Sequence, residues 1–119
     1  MKEEIKLFDR KTKETVTYTR DLEKNPYDMH DLIAAMKLQL AETKLSEKND
    51  AGTTLIKDLE NEARAIAKFA SDHFLSQFTG EDAMGIDPKY QMDIIRWSQR
   101  SMGFDTSENE DDDSEEGKK

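Results

Sequence analysis

The start of the chain alternates apolar and polar positions with a period of two, which is typical of a half-buried β-strand. Ile5 and Leu7 hold the apolar positions of a first run, and Val16 and Tyr18 hold those of a second. The residues between the two runs are polar and turn-like. We predict a β-hairpin over residues 4–20, whose apolar face must pack on another element because a lone hairpin is marginally stable.

The period then changes to that of a helix, which the pair Asn25-Pro26 is suited to begin as N-cap and first helical residue. Apolar residues at helical spacing form one stripe: Met29, Leu32, Ile33, Met36 and Leu40. We expect this helix to end near Leu45, because the following segment contains Asn49, Asp50 and Gly52, which favour a loop.

A second amphipathic pattern begins at Thr53 or Thr54 and continues for roughly seven helical turns. Ile56 and Phe69 broaden its apolar face, whose other members are Leu55, Leu59, Ala63, Ile66, Ala70, Phe74 and Phe78. This pattern predicts one long helix that reaches the phenylalanines.

Thr79 to Asp82 has the spacing of a capping box, so Thr79 is expected to end the long helix and cap a short one that stops at Gly85. Asp87-Pro88 then opens a final helix. Its apolar residues are Ile94, Ile95, Trp97 and Met102, and Gly103 is its stop.

The predicted fold is therefore α+β and mostly α, with an N-terminal hairpin followed by about four helices. One domain spans residues 1–104, and a disordered acidic tail spans residues 105–119.

Charge is distributed unevenly along the chain. The formal net charge is −9, and residues 105–119 hold eight acids against two lysines, which leaves only −3 for the rest. Direct nucleic-acid binding is disfavoured, because phosphate neutralisation needs a basic face. The absence of cysteine, of a long apolar run and of an apolar leader favours a cytosolic protein that binds no membrane.

The residues that could support chemistry are few. His30 and His73 are the only histidines, and we expect both to be solvated or partly packed rather than metal ligands, although His30 can contact Asp28. The tail resembles a calcium loop in part, but it has Glu110 where such a loop needs glycine. Since no nucleophile elbow or phosphate loop is present, we predict no catalytic, cofactor or metal site and no enzymatic activity.

Three side chains are candidates for contacts with a partner. Leu75 lies off the main stripe of the long helix, and Phe104 is the last apolar residue. Trp97 stands among arginines, a combination enriched at protein interfaces, although simple packing against the hairpin is the alternative.

The segment FLSQFTGEDAMGIDPKY resembles the tail assembly chaperones of long-tailed phages of Gram-positive bacteria, which carry a phrase like F-G-N-Q-F-T before a short helix. The matching residues are Phe74, Gln77, Phe78 and Thr79, followed in step by Gly85, Ile86 and Asp87. Leu75 and Ser76 depart from the usual Gly-Asn, and glycine tolerates backbone conformations that leucine does not.

The resemblance implies a non-enzymatic assembly factor in the host cytoplasm, absent from the finished particle. Such proteins coat the tape measure protein, help to recruit tail tube subunits and act in several copies that can associate. In this family some ribosomes slip near the end of the gene, and codons for Gly117, Lys118 and Lys119 can form the required run of bases.

Two other interpretations remain open. The chain could be an acidic adaptor, or it could mimic nucleic acid and bind a basic protein. A mimic would spread its acids over the folded body, whereas here they are concentrated in residues 105–119.

Overall fold

The computed structural model describes residues 1–104. A hairpin of two antiparallel strands, β1 (Lys2–Asp9) and β2 (Glu14–Asp21), opens the fold. Three α-helices follow, and two short 3-10 turns precede the last of them: α1 (Met29–Ala51), α2 (Ile56–His73), the turns Asp82–Gly85 and Pro88–Tyr90, and α3 (Gln91–Ser101).

This architecture confirms an α+β, mostly α fold with an N-terminal hairpin. The predicted number of about four helices is corrected to three α-helices, since the segment before Gly85 forms only a 3-10 turn. The acidic tail at residues 105–119, with Glu110 and the proposed slip point Gly117–Lys119, lies outside the described residues.

The apolar side chains of the hairpin alternate as the sequence predicts. Ile5 pairs with Tyr18 and Leu7 with Val16, so these four side chains share one face. Ile5 and Leu7 are buried, whereas Val16, which lies near the turn of the hairpin, is 43% exposed. On this face, the apolar side chains of β1 are therefore more deeply buried than those of β2.

Helix α1 begins later and ends later than predicted. Its N-cap is Asp28, which accepts a hydrogen bond from the backbone of His30 and forms a capping box with Asp31. Asn25 and Pro26 stay outside the helix, because their carbonyl oxygens accept hydrogen bonds from a buried guanidinium described below. The helix continues past Leu45 to Ala51 and ends at Gly52, which adopts a left-handed φ of 72°.

Helix α2 is shorter than predicted and ends at His73 instead of near Phe78. The next residues explain the stop, because Leu75 and Ser76 have φ values of 62° and 59° and cannot continue a right-handed helix. The amide of Ser76 donates to the carbonyl of Ser71 and closes the helix end.

The region after α2 follows the predicted cap chemistry more closely. The amide of Asp82 donates to Oγ1 of Thr79, and the amide of Thr79 donates to the Asp82 carboxylate. Asp87 accepts a hydrogen bond from the amide of Lys89 and starts the turn that leads into α3. Gly103, at φ 91°, follows the end of α3 as predicted.

Gly85 is required for close packing and not for an unusual backbone angle. A Cβ at Gly85 would stand 2.1 Å from the carbonyl oxygen of Phe8 in β1. The next residue, Ile86, forms an isolated antiparallel bridge with Leu7. The backbone after α2 therefore lies directly against the edge of the hairpin.

The core lies between the hairpin and the three helices. It is built from apolar side chains of β1, of the three α-helices and of the segment between α2 and α3: Ile5, Leu7, Ala34, Ala35, Leu38, Ala67, Phe69, Ala70, Phe74, Phe78, Ala83, Ile94 and Trp97. Phe69, Phe74 and Phe78, which belong to the predicted apolar face of the long helix, are all buried. Among residues 1–104, no helix is both long enough and apolar enough to cross a bilayer.

Candidate partner-binding surface

The apolar stripe of α1 is exposed. An amphipathic helix normally turns such a stripe to the core. Here four of its five predicted members are at least half exposed: Met29 (67%), Ile33 (50%), Met36 (55%) and Leu40 (57%). We call these four residues the α1 seam.

A different set of residues joins α1 to the core. Ala34, Ala35, Leu38 and Leu45 are buried, and so is Asp31. At 3.6 residues per turn, this buried face is centred roughly 180° from the α1 seam. Helix α1 is thus apolar on two opposite sides, and only one of them is covered within residues 1–104.

Grooves between α1 and α2 border the seam on one side. One, of about 420 Å³, is lined by Lys37, Leu40 and Lys44 of α1 and by Asp58 and Glu62 of α2. A second, of about 710 Å³, includes Ile33, Lys37, Lys68 and Leu75. Because Lys37 lines both, the grooves follow the same side of α1.

The lysines along these grooves differ in their pairing. Lys48 donates to Asp58 at 2.7 Å, which lowers the pKa of that carboxyl, and Lys68 donates to Asp72 at 3.0 Å. No salt bridge to Lys37 or Lys44 is found within residues 1–104. These two ammonium groups remain available to an incoming anion.

A second exposed apolar patch lies at the start of α2. Leu55, Ile56 and Leu59 are each at least half exposed. They continue the predicted stripe of α2, whose C-terminal part is buried at Ala70. This patch is shorter than the α1 seam and has only one helical turn of apolar side chains.

The three predicted contact residues have different surroundings. Leu75 is 46% exposed and lines the groove beside Ile33, and Phe104 is 62% exposed. Trp97 is only 6% exposed, so its place as a contact residue is corrected to a core position. Its ring stacks on His73, with centroids 5.4 Å apart, and meets Phe74 edge-on, because these rings fill the space between α2 and α3.

The residues of the resembling motif are mainly structural. Phe74 and Phe78 are buried, and the side-chain amide of Gln77 donates to the carbonyl of Thr19 in β2. Thr79 caps the following turn, and Ser71 secures the same loop by donating to the carbonyl of Phe78 at 2.6 Å. Together they hold the α2–α3 connection against the hairpin.

A buried guanidinium, which the sequence interpretation missed, joins β2 to both long helices. Arg20 is 2% exposed and donates two hydrogen bonds to Asp31, at 2.7 and 2.9 Å. It also donates to the carbonyl oxygens of Asn25, Pro26 and His73. Burial opposes its charge, but the hydrogen bond and attraction of Asp31 outweigh that cost and raise the pKa of Arg20.

His73 belongs to the same buried cluster. Its Nε2 lies 2.6 Å from Oε1 of Glu3, and its Nδ1 lies 3.8 Å from Asp31 without a hydrogen-bond partner. Tyr27 donates its hydroxyl to Glu3, and burial together with this carboxylate raises the pKa of Tyr27. The expectation of a solvated or partly packed His73 is wrong, because Phe69 and Trp97 stack on its ring and exclude water.

A signal for this cluster was present in the sequence. Glu3 and Arg20 have the same two-residue phase as Ile5 and Tyr18, so the hairpin directs all four to one face. His30, in contrast, is exposed and contacts Asp28 at 3.3 Å, as the sequence suggested. Within residues 1–104, no group of three or more histidine and acidic side chains is placed to hold a metal ion.

The cluster and the α1 seam differ in accessibility. His73 and Glu3 line neither groove, and Arg20 and Asp31, which border the second groove, are only 2% and 5% exposed, so the cluster mainly connects β1, β2, α1 and α2. The α1 seam and its lysines are open to solvent. The chain matches no family model, no curated protein and no solved structure, so its function has to be inferred from its own residues.

Proposed function

We propose that this protein is an assembly chaperone of the phage-tail type, which binds an amphipathic helical partner and keeps it soluble. The partner is the tape measure protein, and tail tube subunits join through an extended form of the chain. In this proposal the protein has no enzymatic activity, acts in several copies in the host cytoplasm and is absent from the finished particle.

The observation that carries the proposal is the exposed α1 seam. A soluble domain has no need for Met29, Ile33, Met36 and Leu40 on the side of a helix that faces away from its core. A stripe of this spacing fits the apolar face of another helix, which is the mode by which amphipathic helices shield one another. Methionines add adaptability, because their flexible side chains repack against different partners.

The backbone at the resembling motif gives independent support. The related phrase has Gly-Asn where this chain has Leu75-Ser76, and both positions have a left-handed φ. Glycine and asparagine are the residues that adopt this conformation most readily. The backbone here is therefore the one that the phrase F-G-N-Q-F-T would favour, even though the side chains differ.

An acidic nucleic-acid mimic or adaptor for a basic partner is less well supported. The α1 seam borders Lys37 and Lys44 on its own helix. The carboxylates of Asp58 and Glu62 lie across the groove on α2, where Asp58 is already paired with Lys48. A surface of this kind attracts an amphipathic partner with acidic residues rather than the basic site of a DNA-binding enzyme.

Co-expression tests the proposal directly. The partner to co-express is the product of the gene immediately downstream, which the proposal expects to be very long and coiled-coil-like, and the readout is its soluble fraction after lysis. We expect the neighbour to be soluble with the wild-type chain and to aggregate when alone. We expect the double substitution Ile33→Glu with Met36→Glu to abolish this protection, because it places two charges in the seam.

Met92→Glu provides the matched control. Met92 is 65% exposed on α3, outside the α1 seam, so its substitution changes an exposed apolar residue without touching the seam. Protection should be retained. The proposal would be contradicted if the neighbouring protein were equally soluble when expressed alone. It would also be contradicted if the seam variant and the Met92→Glu variant kept it soluble equally well.

The extended form has its own test in the gene. The codons for Gly117–Lys119 should contain an uninterrupted run of identical bases on which ribosomes can slip. Mass spectrometry of the proteins expressed from the gene should detect a minor, longer product. Lysine codons interrupted at the slip position would exclude the extension, while leaving the chaperone proposal to the co-expression experiment.

A further inference from the structure

The α1 seam has the spacing of a coiled-coil interface. Intervals of four, three and four residues separate Met29, Ile33, Met36 and Leu40, which places them at successive d, a, d and a positions of a heptad pattern. Because these side chains are exposed on one face, they can receive the knobs of a second helix. The occupant that fits this geometry is an α-helix with its own heptad seam.

The charges beside the seam lie on one flank only. In this register, Lys37 and Lys44 occupy e positions, and the g positions are Leu32, Gln39 and Ser46, which carry no charge. Within the described part of the chain, neither lysine is paired, although Lys48 and Lys68 nearby are. Charged e and g residues determine which helices pair in coiled coils.

We propose that the α1 seam binds one partner helix whose apolar seam is bordered by aspartate or glutamate on the flank that meets Lys37 and Lys44. The inference rests on the proposed chaperone function and adds the chemistry of the partner. The acidic flank fixes the register of the partner on α1, while the seam supplies most of the affinity.

A second copy of this chain does not fit the same surface. In an antiparallel pair of α1 helices the e positions face each other, so Lys37 and Lys44 would meet lysines. In a parallel pair they would face the uncharged Leu32, Gln39 and Ser46. Like charges in the first case and absent partners in the second favour a different, acidic helix.

The chain's own acidic segment is an incomplete match. Residues 105–119 contain eight acids and no apolar residue, so they can attract the lysines but cannot fill the seam. They can therefore compete with a partner for Lys37 and Lys44 without replacing it. Their removal is one arm of the test.

The test uses two synthetic three-heptad peptides with isoleucine and leucine at a and d. One peptide carries glutamate at its e and g positions, and the other carries lysine. Binding to the full chain is measured by fluorescence anisotropy at low and physiological salt. We expect the glutamate peptide to bind about tenfold more tightly, with a smaller difference at higher salt because exposed charges are screened.

Two variants assign the effect to the surface. Lys37→Glu with Lys44→Glu should reverse the preference between the peptides, and Ile33→Glu should abolish binding of both. Lys6→Glu with Lys11→Glu makes the same change in net charge on the exposed hairpin and should leave the preference unchanged. Circular dichroism confirms that each variant is folded.

The outcomes separate this inference from the proposed function. Seam-dependent binding with no preference between the peptides overturns the inference and leaves the chaperone function standing. An Ile33-dependent dimer of the free chain, seen by analytical ultracentrifugation, would also overturn it. Deletion of residues 105–119 from the wild-type chain should tighten binding of the glutamate peptide. The same deletion in the Lys37→Glu, Lys44→Glu variant should not. This pair of results supports the inference.

Discussion

Arg20 and Asp31 are joined by two parallel hydrogen bonds inside the domain, where both side chains are almost fully buried. The pair links β2 to the first turn of α1. Its guanidinium also satisfies backbone carbonyls of the connecting segment, so one side chain defines where α1 can begin.

Replacement of Arg20 should therefore be severe. Arg20→Met leaves Asp31 as a buried, unpaired carboxylate and removes the donors to three carbonyl groups. We expect a loss of about 3–5 kcal/mol in the free energy of unfolding, measured by denaturant titration. Arg64→Met is the matched control, because Arg64 pairs with Glu81 at the surface, and it should cost less than about 0.5 kcal/mol. Equal stability of the two variants would show that the buried pair has no structural role.

The left-handed residues after α2 offer a stabilising change. Leu75→Gly relieves the steric cost of a φ of 62° at an exposed position, so the free energy of unfolding should rise by about 1 kcal/mol. The corresponding rise in Tm is roughly 4–8 °C. Leu75→Ala keeps a Cβ and should give no such gain. A Gly variant that is no more stable than the Ala variant would contradict the left-handed backbone.

Gly85 should not tolerate even a methyl group. In Gly85→Ala the new Cβ meets the carbonyl of Phe8, so the chain has to move away from the hairpin. We expect a loss of about 1–3 kcal/mol in the free energy of unfolding, as for other overpacked sites. Gly80→Ala is the control, since its Cβ would lie 3.8 Å from the nearest atom, and it should be nearly neutral in thermal unfolding. A mild effect at Gly85 would mean that the contact is loose.

Glu42 predicts a dependence of stability on pH. Burial between α1 and α2, together with repulsion from Glu62, raises the pKa of Glu42 above its ordinary value. The folded state therefore disfavours the ionised form of Glu42. The contribution of Glu42 to the free energy of unfolding falls as the pH rises from about 4.5 through the higher pKa of the folded state.

Glu42→Gln should accordingly stabilise the protein at pH 7 by about 0.5 kcal/mol and have little effect at pH 4. Glu47→Gln, at an exposed position of the same helix, is the control for a simple change in net charge. Thermal unfolding of the three proteins at both pH values measures the effect. An equal gain in both variants would assign it to net charge.

Much of the fold could be predicted from local pattern. The two-residue alternation of apolar and polar positions predicted the hairpin. The capping residues Thr79 and Asp87 predicted the turns before α3. The start of α1 was misplaced because it depends on Arg20, which is distant in sequence. The predicted end of α2 was too late, because Leu75 and Ser76 are not residue types that commonly adopt a left-handed backbone conformation.

The orientation of α1 could not be read from its pattern. The large apolar residues Met29, Ile33, Met36 and Leu40 outweigh the alanines in any measure of hydrophobicity. Ala34 and Ala35 nevertheless face the core, because their small side chains let neighbouring elements approach α1 closely. The candidate site was hidden for the same reason, since an exposed seam and a buried one have the same sequence signature.

The position of the α1 seam, on the far side of the helix from the core, has a kinetic consequence. In the proposed function, a partner helix would dock on the seam and leave it without any rearrangement of the packed interior, so its release would require no refolding step. Under that proposal, each copy would be ready to bind another partner helix as soon as the first has left.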